Sequence, residues 1–413
     1  MKPGAIATLS LLLAACAPAP PPKAKAVPTA PPPEAPIPLV DFVTPWTTVS
    51  PEEAKLDRRA LERLIVASEK SESDALLVLA GDNVVVARAF GRPLGPIETK
   101  SVTKGFVGIA IGFLVADGKL SIDDPLSRWF PEWKTGPKSQ VLLRHVLTHT
   151  SGLSHEPMAG KLERQPDRLA YVRGLDLTTD PGTAFSYNNE ATMLLSGVIA
   201  SAAGEPIDVY LGKKLFEPLG IDDVSWQRDP AGNVTTNGGL TLSATSLAKV
   251  GLALRDGRVV PREWLTAMRV PTKGSTYHGL LTWLVDDVWW VQTPERRAKF
   301  GTIFSAAAKL APLDGRRFQI GTGYWIEAGT LLDADERIEA STKLRDDYLP
   351  IERTKPVPGG IHFNGWLGQY LVILDHGRIV AVRLRRQPKQ VDDETNAKIG
   401  MFDFVPLLRS AQR

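Results

Sequence analysis

The sequence lacks the residues that several common protein classes require. It has one cysteine, Cys16, so an internal disulfide and a thiolate metal cluster are excluded. No serine lies in a G-x-S-x-G pattern, which excludes the nucleophile elbow of the α/β-hydrolases. The 49 basic and 46 acidic residues leave a net charge of only +3, which gives no argument for nucleic acid as a partner. The 413 residues are 43% hydrophobic, an ordinary globular composition that allows one large domain or two smaller ones.

The first sixteen residues have the features of a targeting segment. Lys2 precedes a short apolar run from Ala5 to Ala15, which predicts a secretory signal peptide over residues 1–15. Leu13-Ala14-Ala15-Cys16 resembles the bacterial lipobox, in which the cysteine is lipidated and becomes the new N-terminus. We expect a cell-envelope lipoprotein that meets the membrane through Cys16. Because Ala17 and not aspartate follows, we expect the outer membrane. The alternative is an ordinary signal peptide with a chance cysteine.

The remaining chain divides by composition into a tether and a globular body. Residues 16–40 are dominated by Pro and Ala, which predicts an extended tether that builds no core. The body, residues 41–413, has a strand hairpin pattern near each end, at 75–90 and at 369–384, and a largely helical stretch between them. This order predicts one sheet built from both chain ends with an inserted helical lobe. A cleft is expected where the lobe meets the sheet.

A candidate nucleophile opens the strongest helical pattern. Ser101-Val102-Thr103-Lys104 begins an apolar stretch that runs to Ala116 and stops at Asp117-Gly118. Lys104 follows Ser101 by three residues, so the two side chains share one helix face. A serine that attacks a carbonyl must lose its proton, and a lysine that burial keeps neutral can accept it. Taken alone, Ser101 would be read as a helix N-cap and Lys104 as a solvated lysine.

A second motif follows at Tyr187-Asn188-Asn189, the single Y-x-N of the chain. A tyrosine from a second element can share the proton transfer, and Asn189 can hold the lysine and a substrate amide. The alternative for Tyr187 is a core aromatic residue with a satisfied hydroxyl. Ser246-Leu247-Ala248-Lys249 and Lys134-Thr135-Gly136 also match serine-hydrolase motifs. Both stand in the wrong order along the chain and are interpreted as chance matches.

The segments around these motifs resemble the serine β-lactamase-related family, close to its class C and D-alanyl carboxypeptidase/esterase branch. The resemblance covers roughly Leu56 to the C-terminus, with several segments in the family's order. They are Ser101 to Leu126, Leu143 to Leu153, Pro181 to Asn189 and Gly238 to Ser243.

This resemblance implies the α/β fold of the β-lactamase/transpeptidase type and a serine hydrolase that acts through an acyl-enzyme. Ser101 would be the nucleophile, Lys104 its base, Tyr187 the proton shuttle to the leaving group, and Asn189 the residue that positions Lys104 and substrate. No metal or organic cofactor is implied. His145 and His149 receive no catalytic role.

The third family element departs from its pattern. Gly365 to Gln369 resembles the family's G-x-x-G-Q segment, and in that register Phe363 occupies the position of the usual lysine or histidine. His362 is one residue off, and on a strand it would face the opposite side. The cation that meets a substrate carboxylate is therefore expected to be missing. The Ser101 and Trp366 N–H groups are expected to form the oxyanion hole, with Asn364 beside them.

Residues 286–358 form a second departure from the family. This family-divergent insertion delays the third motif and is rich in aromatic residues, among them Trp289-Trp290 and Tyr324-Trp325. It is either an aromatic lid on the cleft or a structural elaboration, and aromatic residues more often belong to a core.

Together these patterns predict an esterase or amidase in preference to an efficient β-lactamase, with a small ester, amide or peptide substrate of cell-wall or xenobiotic origin. The alternative is an envelope lipoprotein of the same fold that binds peptidoglycan without turnover or transfers the acyl group to another acceptor.

We predict that Cys16→Ser moves the protein from the membrane fraction to the soluble fraction of a bacterial host. Lipid on Cys16 would be the membrane anchor, because no other segment is apolar enough to replace it. Fractionation followed by immunoblotting measures this. A Cys16→Ser protein that still sediments with membranes would contradict the lipobox interpretation.

Overall fold

The computed structural model describes residues 37–156, 160–287, 289–318, 321–343, 349–355, 357–388 and 403–412. Cys16, the signal peptide and most of the tether lie outside this part of the chain, so their assignment stays a prediction. The described residues fall into two compact units. One comprises Ile37–Asp286 with Pro358–Arg413, and the other comprises Asp287–Val357.

The strands and helices are numbered here in chain order. The strands are β1 (Ala75–Ala80), β2 (Asn83–Ala89), β3 (Ile97–Glu98), β4 (Ser225–Trp226), β5 (Leu240–Leu242), β6 (Trp283–Asp287), β7 (Trp290–Gln292), β8 (Arg317–Phe318), β9 (Ile351–Arg353), β10 (Val357–Gly365), β11 (Gln369–Leu374) and β12 (Ile379–Leu384). The helices are α1 (Arg58–Lys70), α2 (Thr103–Ala116), α3 (Leu143–Leu147), α4 (Arg168–Gly174), α5 (Asn189–Ala203), α6 (Ile207–Leu211), α7 (Ala244–Asp256), α8 (Arg262–Met268), α9 (Pro294–Gly301), α10 (Gly321–Leu331), α11 (Ala334–Lys343) and α12 (Phe404–Arg409).

The larger unit is built on a six-stranded sheet with the order β2-β1-β12-β11-β10-β6. β1 pairs antiparallel with β12, so that Ala75 lies opposite Leu384, and the first and last parts of the body meet at the centre of the sheet. The β1–β2 and β11–β12 hairpins confirm the two predicted ones. The predicted antiparallel sheet built from both chain ends, with helices inserted between, is therefore confirmed.

Both faces of the sheet are covered, as the alternation of side chains along β1 shows. Leu77 and Leu79 point into the core shared with α2 and α7. Leu76 and Val78 point to the opposite face, into a second core with α1 and α12. All are fully buried. Period-two alternation thus places one face of the sheet against the inserted lobe and the other against the terminal helices.

The body begins slightly earlier than the predicted boundary at residue 41. The Leu39 carbonyl accepts a hydrogen bond from the Ala87 N–H at 2.9 Å, and Val40 forms a bridge with Ala87. The last residues assigned to the tether therefore add to the edge of the sheet at β2, because an exposed edge strand offers unpaired backbone groups.

Helix α2 lies inside the larger unit, and its side chains from Thr103 to Leu114 are all buried. An apolar residue on every side of a helix is typical of a helix surrounded by protein. A 3-10 turn at Lys100–Val102 leads into it, and Gly118, at a φ of +66°, follows its end. The predicted helix from Val102 to Ala116 agrees with this element to within one residue.

The smaller unit has its own core. Its sheet has the order β8-β7-β9, and Phe300, Phe304 and Tyr324 are fully buried among the neighbouring helices. The Tyr324 hydroxyl donates to Gln292 Oε1 at 2.5 Å. Tyr324 and Trp325, two of the aromatic residues of the predicted insertion, therefore pack in the core of this unit.

Among the described helices, none is by itself long and apolar enough to cross a membrane. α5 and the segment Ile207–Leu219 pass that test of length and composition only as a pair bent by 65°.

Candidate active site

Ser101 and Lys104 form a close pair at the start of α2. The distance between Lys104 Nζ and Ser101 Oγ is 3.0 Å, which is within hydrogen-bond range. Lys104 is only 3% exposed, and Ser101 is half-buried. The pair opens onto a cleft. Its lining residues are Ser101, Lys104, His149, Tyr187, His278, Leu281, Trp283, Phe363 and Asn364.

The second contact of the Lys104 ammonium is a backbone oxygen. Lys104 Nζ donates to the Asn237 carbonyl at 2.7 Å. The loop that carries Asn237 is braced on the side of α5, because the Thr236 hydroxyl donates to the Thr192 carbonyl at 2.7 Å. The lysine is thus held at a fixed distance from the serine by two acceptors.

Asn189 does not make the predicted contact with Lys104. It is the first residue of α5, and its Oδ1 is buried without a hydrogen-bond partner among the described residues. The donors of Lys104 go instead to Ser101 and to the Asn237 carbonyl. A backbone carbonyl therefore occupies the position that the motif assigned to an amide side chain. Asn188, the preceding residue, caps α5 by accepting from the Ala191 N–H at 2.7 Å.

Tyr187 lies across the cleft from α2. Its ring centroid is 5.0 Å from Lys104 Nζ, and the ring stacks on Trp283 with a centroid separation of 5.9 Å and an interplanar angle of 22°. Both flanking residues are fastened to His149. The His149 carbonyl accepts from the Ser186 N–H at 2.8 Å, and its Nδ1 accepts from the Asn188 N–H at 3.1 Å.

The two chance matches are used elsewhere in the fold. Lys249 Nζ donates to the Gly220 carbonyl at 2.6 Å, and the Ser246 N–H is bound by the Ser243 hydroxyl at the N-terminus of α7. The K-T-G at 134–136 lies in a turn, where Gly136 has a φ of +75°.

β10 brings the third motif beside the nucleophile. Phe363 lines the cleft and is 2% exposed. A Cβ atom added to Gly105 would lie 2.5 Å from the Phe363 ring, so Lys104 is followed by a residue whose lack of a side chain makes room for that ring. His362 stacks on Trp283 with a centroid separation of 6.3 Å and does not line the cleft. Among the described lining residues, Lys104 is therefore the only one that carries a formal positive charge.

The end of β10 lies against the turn that carries Ser101. A Cβ atom on Gly365 would lie 2.4 Å from the Thr99 carbonyl and 3.0 Å from the Ser101 nitrogen. The N–H groups of the first turn of a helix have no acceptor within the helix, so the Ser101 amide is a candidate donor at this position. Trp366 follows Gly365 and is 45% exposed, and Lys100 Nζ lies 5.9 Å from its ring centroid.

A buried arginine fastens the turn after Trp366. Arg383 on β12 donates to the Leu367 carbonyl at 3.0 Å and to the Gly368 carbonyl at 2.5 Å. Leu367 and Gly368 both have positive φ values, +69° and +74°. Burial lowers the pKa of Arg383 to about 10. This charge stabilises the tight turn that follows Trp366, because the carbonyl oxygens of Leu367 and Gly368 would otherwise be buried without donors.

Three histidines surround the aromatic wall of the cleft. Burial, together with His278 and Lys104, holds the pKa of His149 well below its usual value. Burial lowers the pKa of His278 and that of His362 to about 4. All three are consequently neutral near pH 7 and act as polar but uncharged groups beside Tyr187 and Trp283.

Sequence reasoning missed several of the residues that line or support this site. Asn237 contacts Lys104 through its backbone carbonyl, so the identity of its side chain does not reveal this role. The adjacent Gly238-Gly239-Leu240 segment, which resembles the family, marks only the neighbourhood. His278, Leu281 and Trp283 come from the segment before and at the start of β6, where no motif marks them. His149 Nε2, His278 Nδ1 and His362 Nδ1 are buried without a hydrogen-bond partner among the described residues, and no sequence pattern predicts this because it depends on three-dimensional packing.

Comparison with known proteins agrees with this architecture. A family model described as Beta-lactamase matches residues 58–401, and the chain belongs to that family. The esterase EstB of Burkholderia gladioli is 32% identical over 160 residues, which is 33% of this chain and 40% of the esterase. The predicted family resemblance is confirmed.

Solved structures show the same fold at low sequence identity. A penicillin binding protein from Bacillus halodurans aligns with a TM-score of 0.55 and 18% identity over 84% of this chain and 99% of that chain. EstCE1, described as a hydrolase with promiscuous acyltransferase activity, aligns with a TM-score of 0.55 and 16% identity over 88% and 98%. By sequence, the matched segment spans 40 to 60% of the length of the first curated relatives.

We predict that the native state loses stability as the pH falls from about 7 to about 4.5, partly through His362. The pKa of His362 is about 4 when folded and 6.5 in its ordinary state, so the unfolded chain binds more protons in this window and stability falls with pH. The loss of Tm should be smaller in His362→Gln. The exposed His376→Gln is the control and should lose as much as wild type. Circular dichroism melts measure this, and an equal loss in His362→Gln would contradict it.

Proposed function

We propose that the protein is a serine hydrolase that acts through an acyl-enzyme on uncharged esters or neutral amides. The observation that carries the proposal is the 3.0 Å pair of Ser101 Oγ and Lys104 Nζ at the floor of a cleft. Membership of the beta-lactamase family and the partial likeness to an esterase support it.

The first chemical step follows from the placement of the groups. The Lys104 ammonium must lose one proton before this step, and Nζ then accepts the Ser101 hydroxyl proton while Oγ bonds to the substrate carbonyl carbon. The negative charge that develops on the carbonyl oxygen is stabilised by the Ser101 and Trp366 N–H groups. Tyr187 passes its hydroxyl proton to the leaving group as the bond between that group and the carbonyl carbon breaks, and Lys104 returns to Tyr187 the proton it took from Ser101. Water then attacks the acyl-enzyme, one proton of the water passes to Ser101 Oγ as the ester bond breaks, and the acid product leaves.

The absent second cation favours uncharged substrates. A β-lactam or a D-alanyl peptide carries a carboxylate, which needs a charge-assisted partner in the cleft. Phe363 fills the position from which that partner would come, and its neighbours Phe106 and Gly105 pack against the ring. An apolar residue there leaves carbonyl activation intact but gives a carboxylate nothing to pair with.

Hydrolysis and acyl transfer differ only in the acceptor that attacks the acyl-enzyme. Transfer of the acyl group to an alcohol is therefore the second reaction that the same residues can perform. A protein that binds peptidoglycan without turnover is the further alternative from the sequence. The close Ser101–Lys104 pair favours a reactive site over a passive one.

We predict that a fluorophosphonate probe labels Ser101 alone. Ser101→Ala should abolish labelling, and Ser246→Ala, in the second S-x-x-K segment, should leave it unchanged. Lys104→Ala and Lys104→Arg should each slow labelling by about a thousandfold or more. Alanine removes the base, and the loss of one member of a catalytic unit removes most of the activity of the whole unit. Arginine does not replace the base, because a guanidinium stays protonated near neutral pH. Gel fluorescence and peptide mass spectrometry measure this. Labelling that persists in Ser101→Ala would refute the assignment.

We predict that short-chain aryl esters are hydrolysed much faster than penicillin or cephalosporin substrates. Phe363→His or Phe363→Lys should raise β-lactam acylation relative to ester turnover by about ten- to a hundredfold, the value of one charge-assisted contact. Phe363→Leu is the matched control and should give no gain. Steady-state kinetics on both substrate classes measure this. A wild-type preference for carboxylate-bearing β-lactams would show that another group supplies the cation.

A further inference from the structure

His149 occupies an unusual position beside the proposed catalytic groups. It is 1% exposed and has a φ of +53°, in the left-handed region that histidine and asparagine tolerate better than most residues. Its carbonyl and its Nδ1 hold Ser186 and Asn188, the two neighbours of Tyr187. This accounts for one edge of the imidazole ring and leaves the other edge without a role.

The hydrogen bond at Nδ1 determines where the ring proton lies. Because Nδ1 accepts from the Asn188 N–H at 3.1 Å, a neutral ring must carry its proton on Nε2. Burial keeps the ring neutral by lowering its pKa. The ring therefore presents one uncharged N–H donor, and the tautomer is fixed by the same contact that holds the tyrosine loop.

That donor has no partner. Nε2 is buried and makes no hydrogen bond to any described residue. A buried N–H without an acceptor destabilises a protein, and such groups in native structures call for a functional or solvent explanation. A metal is not the explanation that the side chains support, because the described residues contain no group of three or more His, Cys, Asp and Glu able to hold one.

The ring lines the cleft together with Ser101, Lys104 and Tyr187. Its centroid is 4.5 Å from that of Tyr187, the shortest ring separation in the wall of the cleft. If Tyr187 delivers the proton to the leaving group, His149 is adjacent to the leaving-group side of the scissile bond. His278, which also lines the cleft, has its ring centroid 4.9 Å from that of His149.

We propose that His149 Nε2–H donates a hydrogen bond to the leaving-group oxygen of an uncharged ester during acylation. This rests on the proposed function. As Ser101 Oγ bonds to the carbonyl carbon, the carbon–oxygen bond to the leaving group breaks and its electron pair moves to that oxygen. Tyr187 supplies the proton that the oxygen gains. His149 keeps its own proton and stabilises the charge until that transfer is complete.

A neutral donor at this position selects among substrates by their leaving groups. An ester of a strongly basic alcohol develops more charge on the departing oxygen and depends more on help from a donor. An activated ester such as p-nitrophenyl acetate depends on it less. The contribution of His149 is therefore measured by the slope of log kcat/KM against the pKa of the leaving group.

The test compares His149→Asn with wild type on p-nitrophenyl, phenyl and trifluoroethyl acetates. Asparagine tolerates the positive φ, and its Oδ1 can accept from the Asn188 N–H as Nδ1 does, but it has no atom at the position of Nε2. We expect kcat/KM to fall about tenfold for the phenyl and trifluoroethyl esters. For the p-nitrophenyl ester we expect a fall of less than about threefold, so that the slope steepens.

His145→Asn is the matched control. His145 also accepts a backbone N–H at Nδ1, from Leu142 at 3.2 Å, but it does not line the cleft. Its variant should keep the wild-type slope. Equal losses on all three esters in His149→Asn would show a structural role and overturn the proposal. A wild type that hydrolyses none of these esters would contradict the proposed function itself, and this inference with it.

A measurement on the unaltered protein covers the case in which His149→Asn does not fold. In protein labelled with ¹⁵N-histidine, phenol represents the departed leaving group. Its addition should shift one Nε2–H resonance, that of a histidine which remains neutral at about pH 6. Absence of any histidine N–H shift at saturating phenol would overturn the proposal independently of the variants.

Discussion

The buried ammonium group of Lys104 is the constraint on which the rest of the site depends. A primary amine that is only 3% exposed is costly to bury unless its donors are satisfied. Its two acceptors, Ser101 Oγ and the Asn237 carbonyl, come from the start of α2 and from a loop 133 residues later. The lysine can be held only when the lobe has folded around α2, and that folding in turn fixes the distance between base and nucleophile.

The second constraint is the close approach of β10 to α2. Phe363 lies against the bare face of Gly105, and Gly365 lies against the backbone of Thr99 and Ser101. The change from a cation to phenylalanine in the third motif is therefore more than the loss of a charge. The Phe363 ring belongs to the contact between β10 and the start of α2, where Ser101 lies. The same packing therefore makes this side of the cleft apolar and positions Ser101. Arg383 completes it by holding the turn that follows.

Local sequence patterns predicted the elements that are buried on all sides or whose side chains alternate regularly between two faces. The β1–β2 and β11–β12 hairpins and the fully apolar α2 have clear periodicity, and Ser101, Lys104 and Tyr187 belong to short motifs whose order along the chain could be compared with a family. The predicted contact of Asn189 with Lys104 was wrong because the motif gives residue types and not the direction of a side chain at a helix start. Asn237 could not be found at all, since any residue offers a carbonyl. His278 and Trp283 reach the cleft only through the path of the chain before β6.

The charge distribution of the cleft connects these features to substrate choice. The described lining residues contain one formal cation, which is engaged by Ser101 and Asn237. The remaining polar groups are uncharged: two hydroxyls, two neutral imidazoles, an indole N–H and an amide. Protonation of His149 or His278 near Lys104 would place like charges side by side, and burial opposes it further. The histidines can therefore donate hydrogen bonds without attracting an anion. In the proposed function, these neutral side chains distinguish one substrate from another by the position of its uncharged oxygen atoms. Aromatic contact of the substrate with Trp283 and Tyr187 adds to this. In the proposed function, the apolar Phe363 and the neutral N–H of His149 therefore favour the same class of uncharged substrate.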